Sequence, residues 1–361
     1  MSVPDDPGTL DPRLPDLCEQ LVSKQMELEE PDAWPAEQLQ LLSDTGVLAW
    51  TVPEQFGGQG LVRRDLAFGY EQLGGACLTT TFVLTQRNAA VARIGLSQND
   101  ALKQQLLTQL CTNEIFATVG ISHLTTSGQH LDPAVTAKET SDGFILSGKI
   151  PWVTGARFAD YIVTGATLDD GRQVLLVLDK RADGIEPLPA GQLMALNASH
   201  TGAVKLSNVL VPTQNVLTGP VEGVMQQGKA IGAGSLTTSS LALGVAGAAI
   251  RNLTAEADRR PELEETTVPL ADDLQSIRED MYAGIDRVRN DERVSAESVR
   301  KRANSLVLRA TQAYLAASKG AGFSKGHPAE RAVREAMFFL VWSCPQPVLT
   351  ANLREFACAS A

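Results

Sequence analysis

Residues 142–156 read Asp142-Gly143-Phe144-Ile145-Leu146-Ser147-Gly148-Lys149-Ile150-Pro151-Trp152-Val153-Thr154-Gly155-Ala156. An Asp-Gly turn opens the stretch, and Phe144 to Ser147 is a short apolar run of strand character. Gly148 permits a sharp backbone change. Trp152 and Thr154 stand two residues apart, so on a strand they share a face, because side chains alternate with period two. A flat ring beside a hydroxyl suits one face of a planar cofactor. A core Trp beside a turn Thr accounts for the same residues, and the stretch alone leaves both readings open.

Outward from this stretch the texture is β-rich. Phe116–Ile121, Ala134–Lys138, Tyr161–Gly165, Gln173–Leu178 and Ala203–Leu206 are short strand-like runs, and a second Asp-Gly turn falls at Asp170-Gly171. This pattern predicts an antiparallel β-domain. Helical patterns flank it on both sides. Before it, helices are predicted around Leu17–Leu28, after Trp34-Pro35 as far as Gly46, and over 64–75, 79–95 and 99–112. After Val211-Pro212, residues Leu274, Ile277, Met281, Ile285 and Val288 recur at spacings of three and four, as an amphipathic helix requires. Stretches 293–319 and 329–343 read the same way. The chain is therefore expected to be α+β, with a helical N-terminal domain (1–114), a β-domain (115–218) and a C-terminal helical domain (219–361).

Composition narrows the function classes. The 361 residues are 43% hydrophobic and 20% charged, ordinary for a globular protein. A formal net charge of -11 opposes non-specific nucleic-acid binding. The five cysteines (Cys18, Cys77, Cys111, Cys344, Cys358) are widely spaced and form no CxxC pair, which predicts neither a disulfide frame nor a metal site. The acidic N-terminus lacks an apolar core, and no apolar run has transmembrane length, so a cytoplasmic protein without membrane attachment is expected. Gly57-Gly58-Gln59-Gly60 lacks the Lys-Ser/Thr ending of a P-loop and reads as a structural loop.

Five segments, in order, resemble the acyl-CoA dehydrogenase superfamily. They are Trp34-Pro35 through Val52-Pro-Glu-Gln-Phe-Gly-Gly-Gln-Gly-Leu61; Tyr70-Glu71-Gln72-Leu73-Gly74; Gly148 with Trp152-Val153-Thr154-Gly155; Val204-Lys-Leu-Ser-Asn-Val-Leu-Val-Pro212 with Asn215; and Gly320-Ala321-Gly322-Phe323 followed by Pro328, Glu330, Arg334 and Ala336. The resemblance implies a C-terminal four-helix-bundle domain, FAD, an acyl thioester substrate and a homodimer or homotetramer. It also implies an electron-transfer flavoprotein or oxygen as acceptor. It places Trp152 and Thr154 against the isoalloxazine and aligns the family's flavin loop with Ser122-His123-Leu124-Thr125-Thr126-Ser127-Gly128. Ser122 keeps the family's hydroxyl there, and Ser127 would reach a phosphate. Arg260, Lys319, Gly320 and Gly322 fall in the nucleotide-binding segments.

The match has gaps where chemistry is expected. Oxidation next to a thioester needs a carboxylate to take a proton while hydride leaves for the flavin. The family's Glu aligns with Ser343, whose hydroxyl cannot serve alone as that base. The alternative position of that Glu aligns with Gly234 or Ser235. Three residues offer partial substitutes, each with a plainer account. His123, in place of a Glu, is a proton carrier or an ordinary loop histidine. Cys344 is a reactive thiol or a packing residue. Lys319 neutralises a phosphate or merely favours a helix C-terminus. An acyl-CoA dehydrogenase-like oxidoreductase with another base, a flavin monooxygenase of the same fold, and a catalytically silent acyl-ligand-binding or scaffold protein all fit the residues.

Overall fold

The computed structural model describes residues 11–125, 132–227 and 236–358. Five helices come first: α1 (Leu14–Ser23), α2 (Ala36–Asp44), α3 (Arg63–Ala76), α4 (Leu78–Leu96) and α5 (Asp100–Cys111). Gly46 ends the turn after α2 in the left-handed conformation, φ +72°. The side chain of Asn99 accepts from Leu102 N–H at 3.0 Å and starts α5, satisfying a backbone donor that the helix leaves open.

Strands β1 (Ala117–Gly120), β2 (Val135–Thr140), β3 (Gly143–Val153), β4 (Tyr161–Leu168), β5 (Gln173–Asp179), β6 (Ile185–Pro187), β7 (Gly202–Pro212) and β8 (Val216–Val221) form one eight-stranded sheet. The short helix α6 (Ser122–Thr125) follows β1. The strand order is β6-β7-β3-β2-β4-β5-β8, with β1 added on β4. Most pairs are antiparallel, but β1 and β2 both pair with β4 in parallel. The wholly antiparallel expectation is thus refined. Tight turns enforce antiparallel pairing between β2 and β3 and between β4 and β5, whereas the longer links to β4 permit the parallel one.

β3 also departs from the expected short strand. It runs eleven residues, straight through Gly148, where φ is +128° and the register with β7 shifts. A Cβ on Gly148 would lie 2.3 Å from the Ala134 carbonyl oxygen, so only glycine lets the strand pass this bulge. At the far end of β3, Gly155 has φ +65° and packs under Trp34. Trp34 stacks on Phe158 at 4.2 Å and meets Phe116 edge-on at 5.7 Å. His200 Nε2 donates to the Ala33 carbonyl at 3.0 Å. Together these contacts fasten the end of β3 to the N-terminal helices.

The C-terminal helices are α7 (Leu236–Ala257), α8 (Glu264–Ile285), α9 (Ala296–Ala317), α10 (Lys319–Gly322), α11 (Pro328–Met337) and α12 (Gln346–Phe356). The helix expected over 329–343 stops at Met337 and gives way to a 3-10 turn over Phe338–Leu340. Beyond it Ser343 takes φ +46°, which no α-helix tolerates, and Pro345 fixes the next turn.

Helices α3 and α7 cross in close contact because both are glycine-bearing. A Cβ on Gly244 would lie 2.2 Å from the Glu71 carbonyl oxygen, and one on Gly75 would lie 2.7 Å from the Gly244 oxygen. Gly247, one turn further along α7, meets only ordinary contacts at 3.4 and 3.5 Å. Gly244→Ala should therefore cost about 2 kcal/mol, since a clash with rigid backbone outweighs the ~1 kcal/mol of helix propensity that alanine gains. Gly247→Ala should be neutral or stabilising. Urea unfolding of both variants checks the pair, and equal midpoints would contradict the close crossing.

Candidate functional site

A cavity of about 800 Å³ opens where α3, α4, the sheet, α7 and the chain after α11 meet. Tyr70 comes from α3, and Phe82, Thr85, Gln86, Ala89, Ala92 and Arg93 from one face of α4. Val119, Ile121, Ser122, Thr125, Trp152 and Thr154 come from the sheet side, and Thr238 and Leu241 from the start of α7. Arg334, Met337, Phe338, Leu340, Trp342 and Ser343 close it. Among the described residues no Asp or Glu lines the wall.

The sheet side carries an indole and several hydroxyl groups. Trp152 is 52% exposed whereas Thr154 is 3% exposed, so the indole stands at the rim and the hydroxyl sits within. Their shared face, expected from strand alternation, is modified because β3 ends at Val153 after a second register shift. Thr154 Oγ1 shares a hydrogen bond with Thr201 Oγ1 at 2.9 Å, and Thr201 pairs with Ser199 Oγ at 2.8 Å. This chain holds the Thr154 hydroxyl in place. Ser122 Oγ is buried with no hydrogen-bond partner. An orphaned buried hydroxyl is costly, and a ligand heteroatom in the cavity would satisfy it. An exposed indole in the same wall as this hydroxyl fits the ring end of a flavin.

The opposite wall is aromatic and dry. Phe82 meets Phe338 edge-on at 4.8 Å and Trp342 at 5.5 Å, while Phe338 stacks on Trp342 at 5.1 Å. Arg300 lies over the Trp342 ring at 5.6 Å and donates to the Trp342 carbonyl at 3.0 Å, fixing that segment from behind. Ser343, at the position aligned with the family's Glu, is in the wall. Tyr70 accepts from Asn88 Nδ2 at 2.9 Å, and burial pushes its phenol up to about 12, so it is no base at neutral pH.

The remaining expected residues stand elsewhere. His123 is not in the wall. Its Nε2 lies 2.9 Å from the Gly165 carbonyl and must carry the proton that bonds it, leaving Nδ1 buried and unpartnered. Burial lowers its pKa, against the pull of that bond, and the ring is neutral. Cys344 is also outside the wall, and burial raises its thiol pKa despite nearby Arg300, which disfavours a reactive thiolate. Glu335 has its carboxyl pushed up to about 7 by burial, against the attraction of Arg331, but does not line the cavity.

Arg260, Lys319, Gly320 and Gly322 do not line it either. Arg260 is committed to Glu256 and, at 2.7 Å, to the Ala317 carbonyl. Thr238 and Ala257 mark opposite ends of α7, about 28 Å apart at 1.5 Å per residue, so the two groups of residues occupy opposite ends of the helical layer. Ser127, Gly234 and Ser235 lie outside the described residues. Residues that the sequence reading passed over include Arg93, Arg334, Thr201 and Ser199. The spacing Thr85, Ala89, Ala92, Arg93 marks one helix face and was a usable signal for Arg93. Nothing local links Thr201 to Thr154.

The fold and cavity thus define a helix–sheet–helix protein with one enclosed, carboxylate-free ligand site among its described residues. Residues 15–114 match the family model for the acyl-CoA dehydrogenase N-terminal domain. The chain is 22% identical over 332 residues to the probable acyl-CoA dehydrogenase YngJ of Bacillus subtilis, covering 86% of each. It is 24% identical over 239 residues to the mitochondrial short-chain specific acyl-CoA dehydrogenase of Rattus norvegicus, covering 64% of this chain and 57% of that enzyme. Among solved structures, butyryl-CoA dehydrogenase from Megasphaera elsdenii shares the fold with a TM-score of 0.81 at 17% identity, covering 99% of this chain and 100% of that one. So does a nitrososynthase from Micromonospora carbonacea var. africana, with a TM-score of 0.78 at 18% identity and 96% coverage of both chains. The family-model match, the relatives and the shared fold together support the acyl-CoA dehydrogenase superfamily for this chain.

The neutral, buried His123 makes a pH prediction. Unfolded, an imidazole titrates near about 6.5, and the folded state, with its lower pKa, binds fewer protons. Stability should therefore fall as pH drops below about 6.5, until the folded pKa is passed. His123→Gln keeps a donor for Gly165 without the titration. It should lose less stability between pH 7 and pH 5 than the native protein in urea midpoints, and identical losses would exclude His123 as the responsible group.

Proposed function

We propose that this chain is an FAD-dependent oxidoreductase whose cavity holds the isoalloxazine against Trp152 and Thr154. The orphaned Ser122 hydroxyl in the same cavity wall as the exposed Trp152 ring is the observation that carries the reading. The flavin, when bound, supplies the capacity to accept or deliver electrons. The chain's own residues do the rest. Trp152 covers the ring, the Thr201–Ser199 pair orients the Thr154 hydroxyl, and the wall of Phe82, Leu241, Phe338 and Trp342 excludes water from an apolar, acyl-like substrate. Arg260 and Lys319 would serve such a flavin's nucleotide end only from a second copy of the chain, which accords with a homodimer or homotetramer.

The substrate proposed first is an acyl thioester, oxidised at the carbon–carbon bond, with an electron-transfer flavoprotein or oxygen as acceptor. A wall without Asp or Glu counts against proton removal by a carboxylate and favours a second reading, a flavin monooxygenase of the same fold, which needs no such base. A cytoplasmic location accompanies either reading; no helix among the described residues is long and apolar enough to cross a membrane.

The purified protein should take up FAD stoichiometrically and show a visible flavin spectrum. Trp152→Ala should weaken uptake by about tenfold or more, because ring stacking is worth on the order of 1–1.5 kcal/mol beyond buried area. Under anaerobic conditions, bleaching by an acyl-CoA supports the dehydrogenase, while oxygen-dependent product formation after chemical reduction supports the monooxygenase. A colourless protein that takes up no FAD sinks both and leaves a silent ligand-binding protein.

A further inference from the structure

Among the described residues, three arginines are buried without a carboxylate partner, and the protein treats them differently. Arg87 is sealed by acceptors: Nη1 donates to the Leu48 carbonyl at 2.9 Å and to Asn88 Oδ1 at 2.8 Å, and Nη2 donates to the Leu110 carbonyl. Arg300 donates to the Thr238 and Trp342 carbonyls at 3.1 and 3.0 Å and lies over two aromatic rings. Both brace the fold.

Arg93 does neither. It is 8% exposed, sits in the cavity wall, and makes one hydrogen bond, from Nη1 to the Ala89 carbonyl of its own helix at 2.8 Å. Its Nε is buried with no partner, as are those of Arg87 and Arg300, but only in Arg93 of the three does Nη2 also make no hydrogen bond. Burial pushes its pKa down to about 10 with no nearby charge offsetting it, so the group remains a cation at neutral pH. The other wall arginine, Arg334, is already neutralised by Glu330 and by Glu29 at 3.0 Å. Arg93 is therefore the uncompensated charge among the described wall residues, and a buried unpaired cation is unfavourable until an anion joins it.

We propose that Arg93 is an anion-binding residue of the cavity and that the substrate carries a carboxylate, received by the Nη2 end of the guanidinium. With Nη1 turned to Ala89 and Nε buried, Nη2 is the guanidinium nitrogen left to donate to an anion in the cavity, a charge-assisted bond. The inference deepens the substrate class of the proposed oxidoreductase and rests on the cavity being its substrate site. It requires a substrate with an apolar body and an acidic terminus.

The test compares hexanoate with its neutral isostere hexanamide by calorimetry, on the full chain with its FAD content measured. The native protein should bind hexanoate about tenfold or more tightly over hexanamide, the size expected of a charge-assisted pair. Arg93→Met should bring the two within about twofold while leaving hexanamide unchanged, and Arg93→Lys should retain part of the preference. Equal binding in the native protein overturns the proposal, and that measurement needs no variant to fold. Loss of the preference in Arg334→Gln but not in Arg93→Met also overturns it. A preference in flavin-free protein that saturating FAD abolishes would reassign Arg93 to a flavin oxygen. Failure to bind FAD with the hexanoate preference intact would refute the flavoenzyme reading alone.

Discussion

The close crossing of α3 and α7 is the constraint on which the rest depends. Glycines at 74, 75 and 244 let two helix backbones approach until carbonyl oxygen and Cα nearly touch. That approach brings Tyr70 on α3 and Leu241 on α7 to the same wall, with α4 following directly from α3. The sheet is fastened to these helices by Trp34, packed under the Gly155 turn that follows Trp152 and Thr154. Two close approaches, each possible only because glycine lacks a Cβ, therefore set the distance across which the cavity's two walls face each other.

Within that space the distribution of charge is one-sided. Carboxylates are present nearby, at Glu330, Glu29 and Glu335, but they are spent on arginines or held outside the wall. Among the described residues, what faces the cavity is apolar side chains, hydroxyls, amides and one unneutralised guanidinium. A low-dielectric enclosure magnifies any charge it contains, so this arrangement favours anionic over cationic ligands and leaves no strong base. The Ser343 position makes the same point covalently. A serine in the left-handed conformation, between a broken helix and Pro345, contributes a hydroxyl to the wall.

Much of the architecture was legible from local pattern. Short β-rich runs punctuated by Asp-Gly turns located most of the strands, and spacings of three and four located the long helices within a few residues. The short edge strands β6 and β8 and the helix α12 lacked such a signal, being three, six and eleven residues with mixed burial. The parallel pairings on β4 were invisible because alternation says which face a side chain takes, not which strand lies beside it. Among candidate site residues, Ser122, Trp152, Thr154 and Ser343 were placed by motif and meet at the cavity. His123 was placed by the same alignment and Cys344 by its place next to Ser343, but the His123 ring is turned to the Gly165 carbonyl and Cys344 does not line the cavity.

By itself the sequence determined the α+β order, the family, the strand that bears Trp152 and the lack of a carboxylate at position 343. These are properties of residue type and spacing along one dimension. Only the tertiary structure decided which polar groups are left without partners. Arg87, Arg93 and Arg300 are alike as letters, and Arg87 and Arg93 share one helix. Whether a guanidinium is sealed by carbonyls or left facing a cavity depends on what other segments bring to it, and those segments are 39 residues away for Leu48 and 42 for Trp342. Burial converts that difference in neighbours into a difference in free energy, and so into a site.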